Sequence, residues 1–348
     1  MRNRIFAFAV VCAFMLNVVG TTFADTKSNN SGKQMNQLVA LLPASDGVVT
    51  INMQRLLSEA APQILSNKPQ MLADINAKID EVRTKTGLDL RQFEQVALGV
   101  STRQISAQEI DLEPLVLARG KYNANALIAL GKLAANGKYR EEKIGERTVY
   151  VFSGKEIVEQ NKPQTKNSIF DKAIDRIVKG LSKEFVVASY DGNTLVIGSL
   201  ARVRETFETK MRVSADVSDS INRKPNALVN FSAKLPNGMS KFVKLDNDEF
   251  GKLLDSIRHI SGAMEVAGGN ATVSMAAKTL KAEQAQSLQE TLEGLQMVGK
   301  AFIGGSKSAD KQVYVRMIEN LRLTRNVNEV IFDLQVPQSD INILLGVK

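Results

Sequence analysis

HISGAMEVAGGNATVSMAAKTL, residues 259–280, decides the fold. Two apolar runs flank Gly268-Gly269-Asn270, and this composition marks a hairpin turn. A strand, NALVNFSAKL (226–235), stands before it, followed by a helix over about 248–258. After it comes a long helix, KAEQAQSLQETLEGLQMVGKAF (281–302), with Leu288, Leu292, Leu295, Val298 and Phe302 on one face. VYVRMIENLRLTRNVNEVIFDLQV (313–336) is expected as a last hairpin. A short helix over 339–345, capped by Ser339, closes the chain.

The same order occurs earlier. GVVTINM (47–53) is a strand. RLLSEAAPQIL (55–65), interrupted by Pro62, and PQMLADINAKIDEVRTKTG (69–87), stopped by Gly87, are helical. VALGVSTRQI (96–105) and EPLVLARGKY (113–122) are strands, NANALIALGKLAANG (123–137) a helix, and KYREEKIGERTVYVFSG (138–154) a hairpin. Matching 47–153 with 226–336 gives an α+β fold of two similar units. Each unit is a mostly antiparallel sheet with helices packed on one face. One continuous sheet shared by both is the alternative. KEFVVASYDGNTLVIGS (183–199), a hairpin turning at Asp191-Gly192, and the helix LARVRETFE bridge the two copies. The first unit covers 37–210 with an inserted amphipathic helix at 168–181, and the second covers 211–348. Residues 25–36, DTKSNNSGKQMN, are polar and read as a disordered leader.

Residues 1–24 have the layout of a signal peptide. Arg2 and Arg4 precede an apolar run over 5–20, and Thr22-Phe23-Ala24 ends in a small residue before Asp25. Cleavage between Ala24 and Asp25 is expected, with export to a bacterial periplasm or beyond. No other segment is apolar enough to cross a bilayer. Cys12 is the only cysteine, so the processed chain would lack thiols. Disulfides, thiolate nucleophiles and cysteine metal sites are then excluded.

Loss of Arg2 and Arg4 takes the formal charge from +8 to +6. There is no Trp and no basic stripe with interleaved aromatics, so nucleic acid is not an expected partner. His259 is the only histidine. No G-x-S-x-G motif accompanies it, and one imidazole is too few for an ordinary zinc site. LDNDEFG (245–251) offers Asp246 and Asp248, beside Glu249, as metal candidates. Counted as a calcium loop from Asp246, positions five and twelve fall on Phe250 and Ile257, so a helix cap is the preferred role. GKAFIGGSKS (299–308) has the letters of a phosphate loop in the wrong order. Glu109, Asp111 and Glu113 alternate and share a face if extended. Gly198 and Ser199, before LARVRETF, are an anion-site candidate. The preferred role of Ser199 is an N-cap, with Arg202 and Arg204 on the exposed helix face.

LLPASDGVVTINMQRLL (41–57), TGLDLRQFEQVALGV (86–100) and DGNTLVIGSLARVRETF (191–207) resemble a layout recurring in exported bacterial proteins of uncharacterised function. The resemblance covers the first 210 residues and implies export and an α+β repeat build. It brings no catalytic residue. The expectation is therefore a binding or scaffold module of the cell envelope without catalytic residues, cofactor or metal. Its partner would be an envelope protein or a hydrophobic ligand. The alternatives are a carrier of a hydrophobic ligand such as a lipid, in an apolar pocket between helices and sheet, and a hydrolase with a carboxylate-based site.

Overall fold

The computed structural model describes residues 28–106, 109–153, 184–241, 248–304 and 308–346. The expected signal segment with Ala24 and Asp25, the inserted helix at 168–181 and Asp246 lie outside the described residues. Among the described residues, no helix is long and apolar enough to cross a membrane.

The architecture is α+β. Its strands are β1 (Gly47–Asn52), β2 (Phe93–Ser106), β3 (Glu109–Gly120), β4 (Tyr139–Ile144), β5 (Arg147–Ser153) and β6 (Glu184–Asp191). They continue with β7 (Thr194–Gly198), β8 (Val229–Lys234), β9 (Ile257–Ala267), β10 (Asn270–Thr279), β11 (Arg322–Asn326) and β12 (Glu329–Val336). All twelve join one sheet in the order β11-β12-β10-β9-β8-β1-β2-β3-β7-β6-β5-β4. A separate sheet for each unit gives way to the continuous alternative, because β1 and β8 pair antiparallel, with Val49 opposite Phe231. Each strand thereby satisfies a row of backbone groups that separate sheets would leave at an open edge.

The helices are α1 (Ser28–Val39), α2 (53–64), α3 (Pro69–Thr86), α4 (Ala124–Ala134) and α5 (Leu200–Glu208). Five more follow: α6 (Ala215–Asn222), α7 (Asp248–Ser256), α8 (Ala282–Gly304), α9 (Ala309–Asn320) and α10 (Gln338–Leu344). Pro62 does not break α2. A π turn over Leu56–Ala60 widens the helix just before it, which accommodates the missing N–H.

Reading outward from the β1–β8 junction, the element order is the same on both sides. A strand is followed by a long hairpin (β2–β3 or β9–β10), then a second hairpin (β6–β7 or β12–β11), then a short helix (α5 or α10). The counterpart of β11–β12 is therefore β6–β7. The hairpin at 138–154, which the sequence matches to it, forms β4–β5 and extends the sheet beyond β6.

Three local expectations are corrected. Residues 28–39 are helical where a disordered leader over 25–36 was expected. Met35, Leu38 and Val39 fall on one helical stripe and, with Leu42 just beyond the helix, are buried against the sheet, a signal masked by the polar residues between them. Residues 313–320 continue α9 rather than starting a strand. Val313 is fully buried at helical spacing from Met317, and this packing overrides the β propensity of Val-Tyr-Val. The N-cap of α10 is Pro337, not Ser339.

Alternation along the strands gives the sheet two faces. On the first face Val48, Ala97, Leu115, Leu117, Val186 and Val196 pack under α1, α5 and α6. On the second face α4 covers Leu195 beside Tyr150 and Val187. The β1–β7 side is therefore covered on both faces, where helices on one face were expected. On the β8–β12 side every apolar cluster residue of β9, β10 and β12 lies on the second face. Met264, Val266, Val273 and Val336 pack there with α2, α3 and α10, and Ala277 and Val330 pack with Leu253 of α7 and Leu288 of α8. The edge strands β4 and β11 carry Arg140, Glu141, Glu142 and Lys143, and Arg322 and Arg325. Such charges discourage edge-to-edge growth of the sheet.

Candidate functional site

The polar face of the β8–β12 side follows from sequence alternation. Cross-strand register aligns Lys234 of β8, His259 of β9, Lys278 of β10 and Glu329 of β12 in one transverse row. The next row places Ser232 opposite Ser261, and the one after places Ala263 opposite Ser274 and Ser274 opposite Asp333. Neighbours along such rows have Cβ atoms about 4.5–5.5 Å apart and interact directly.

Helix α6 packs over β8 and the near part of β9, burying Asn230 and Ser232, and its far side walls the rest of these rows. Val217 and Ile221 are fully buried and fix the helix to the core. Asp216, Asp219, Ser220 and Arg223 share the other side at helical spacing. Together with His259, Ser261, Lys278 and Glu329 they enclose a cleft of about 200 Å³.

Two ion pairs tie the wall to the floor. Arg223 Nη1 lies 2.9 Å from Glu329 Oε1, and Lys234 Nζ lies 3.2 Å from Asp216 Oδ2. Lys234 holds the Asp216 carboxyl below the usual carboxylate range, aided by the fields of His259 and Lys278. His259 Nε2 lies 2.7 Å from Ser232 Oγ. Burial holds the imidazole pKa below its ordinary value. Asp216 opposes that shift, while Lys278, Lys234 and Arg223 reinforce it.

The sign of the His259 effect fixes a pH dependence. Unfolded chains take up a proton at His259 near pH 6.5, whereas the folded protein resists it. The stability contribution is thus complete above that pH and is lost as pH falls through the folded value. Urea midpoints measured from pH 7.5 to 5.5 should fall more steeply for the native protein than for His259→Asn. Parallel curves would show that burial does not hold the imidazole neutral. Since His259 is the only histidine, no other imidazole obscures the comparison.

A serine beside a histidine resembles the nucleophile–base pair of hydrolases. Ser232, however, has no exposed surface, so a substrate carbonyl has no approach to its hydroxyl. Asp111 and Glu113 lie elsewhere and bind Arg103 at 3.2 and 3.0 Å across β2 and β3, which makes them strand-pairing groups. Glu109 begins β3. Asp248 begins α7. Among the described residues no three His, Cys, Asp or Glu side chains converge on one metal position.

At the anion-site candidate, Gly198 ends β7 and Ser199 Oγ accepts from Arg202 N at 3.3 Å as the N-cap of α5. Arg202 is not on the exposed face. It is 2 % exposed, and its guanidinium donates to Ala44 O at 3.0 Å, to Ser45 Oγ at 2.8 Å and to Glu205.

A second hollow, about 480 Å³, is an open groove between α1 and Pro225-Asn226. It does not enclose a ligand as a carrier pocket does.

Sequence reasoning missed α6, and with it the wall of the cleft. The signal was present: Ser214 stands before ADVSDSIN, and Val217 and Ile221 are four apart. The row across β8, β9, β10 and β12 has no counterpart in linear spacing, because its members are 25, 19 and 51 residues apart.

No family model matches the chain, and no curated protein matches it. Among solved structures it is similar to the bacterial protein TP0453. Crystal form III aligns at TM-score 0.44 and 9% identity over 89% of this chain and 98% of that one. Form I gives 0.41 and 9% over 89% and 97%, and form IV gives 0.42 and 9% over 92% and 100%.

Proposed function

We propose that this protein is an exported, non-enzymatic binding module of the bacterial cell envelope. It takes its ligand in the cleft between α6 and the polar face of β9, β10 and β12. The observation that carries this is the uneven cover of the sheet. Apolar clusters and helices protect both faces beside β1–β7, while the other side leaves a polar, charged face with a shaped cleft. Where α6 does not cover it, around β10 and β12, that face adds little to the core, so the charged groups lining the cleft are available for recognition. The shared element order supports a build of two α+β units, 37–210 and 211–348, around one sheet. Arg2, Arg4 and the apolar run over 5–20 support export. Protein recovered from a bacterial periplasm should have the mass of a chain beginning at Asp25. Recovery of the uncleaved mass would contradict export by this route.

Hydrogen exchange tests the binding face. A small-molecule extract of a bacterial periplasm should slow exchange in α6, β9 and β10. Unchanged exchange there, or protection confined to α8 or to the α1 groove, would overturn this reading.

A further inference from the structure

The charges of the cleft count out unevenly. Six groups with formal charge stand in or beside it: Lys234, Lys278 and Arg223 against Asp216, Asp219 and Glu329. Two ion pairs consume four of them. Among the described residues Lys278 and Asp219 have no ion-pair partner. Lys278 stands opposite Glu329 and acts on Asp216 through its field, yet it makes no close ion pair, so one cation and one anion without a close partner face the same cleft, one from the sheet floor and one from the helix wall.

We infer that this cleft takes a small zwitterion of the amino-acid class, its carboxylate at Lys278 and its ammonium at Asp219. The inference rests on the proposal that this face binds. A lone anion placed at Lys278 meets the fields of Asp219, Asp216 and Glu329. A lone cation placed at Asp219 meets Lys278, Lys234 and Arg223. Only a solute carrying both signs answers both unpaired groups while leaving the site neutral. The Ser261 hydroxyl, which makes no hydrogen bond to another described residue, lies on the same floor and offers a second donor to the carboxylate. The neutral state of His259 keeps a further cation out of the row. The volume, about 200 Å³, is below the ~300–1,000 Å³ of pockets for drug-sized ligands and suits a small solute.

Calorimetric titration of the purified protein with glycine, alanine and glutamine tests this, with acetate and methylammonium as the separated charges. At least one amino acid should bind saturably, and neither half alone should bind at the same concentration. Lys278→Gln and Asp219→Asn, each with an unchanged circular dichroism spectrum, should each weaken that affinity about tenfold or more. Acetate or methylammonium binding as tightly as the amino acid would overturn the zwitterion and leave the binding face standing. So would amino acids that fail to bind while the periplasmic extract still protects β9 and β10. If the extract gives no protection either, both the ligand class and the binding face fall.

Discussion

Replacing Phe231 with alanine should lower the unfolding free energy by about 3–5 kcal/mol, the cost of a large aromatic lost from a core. Phe231 is 3 % exposed and lies directly opposite Gly262 across β8 and β9. A Cβ built at Gly262 would lie 2.4 Å from Phe231 Cε1 and 2.7 Å from Ser274 O. The ring thus occupies the place of the missing side chain. Glycine cannot reach back into the space that Phe231→Ala would vacate, so the cavity stays open. Urea unfolding at pH 7.5 measures the loss. A change below about 1 kcal/mol would show that the site collapses and that the ring does not seal the β8–β9 contact.

The second large effect belongs to Arg202. Arg202→Ala should cost about 2–4 kcal/mol, since it leaves Ala44 O and Ser45 Oγ without their donor and opens a buried space. Arg202→Lys should recover little of this. One ammonium on a flexible stem does not reproduce the planar fork that reaches the carbonyl, the hydroxyl and Glu205 together. Full recovery by lysine would reduce the role of Arg202 to that of a buried charge. The same urea series reads all three proteins.

The hairpins were legible in the sequence because their turns are local. Gly268 and Gly269 adopt φ of 61° and 79°, which glycine reaches without strain, and β9 and β10 follow on either side. The helix α3 and its stop at Gly87, with φ of 73°, were legible for the same reason. Strand order was not. Both β6–β7 and β4–β5 read as hairpins, and local pattern does not say which one pairs with β3. Register does, through Leu115 opposite Gly198. Arg202 was misplaced because exposure was inferred from residue type alone. Its burial depends on Ala44 and Ser45, more than 150 residues earlier in the chain.

The candidate site was least legible. His259 could be singled out as the only histidine, but its neighbours Lys234, Lys278 and Glu329 are set by register across four strands. Asp246 and Asp248 attracted notice through local acid density, a pattern that helix caps also produce. Asp219 belongs to a helix with only eight residues, too short to stand out by periodicity.

The most direct measurement of the central claim is an exchange of the two unpaired charges. Calorimetric affinity for the amino acid that binds the native protein should fall about tenfold or more in Asp219→Lys and in Lys278→Asp. Combining both changes should restore affinity to within about tenfold of native, since the pair again presents one charge of each sign. A double variant as weak as either single one, or single variants that bind normally, would contradict the assignment of Lys278 and Asp219 as the groups that hold the ligand.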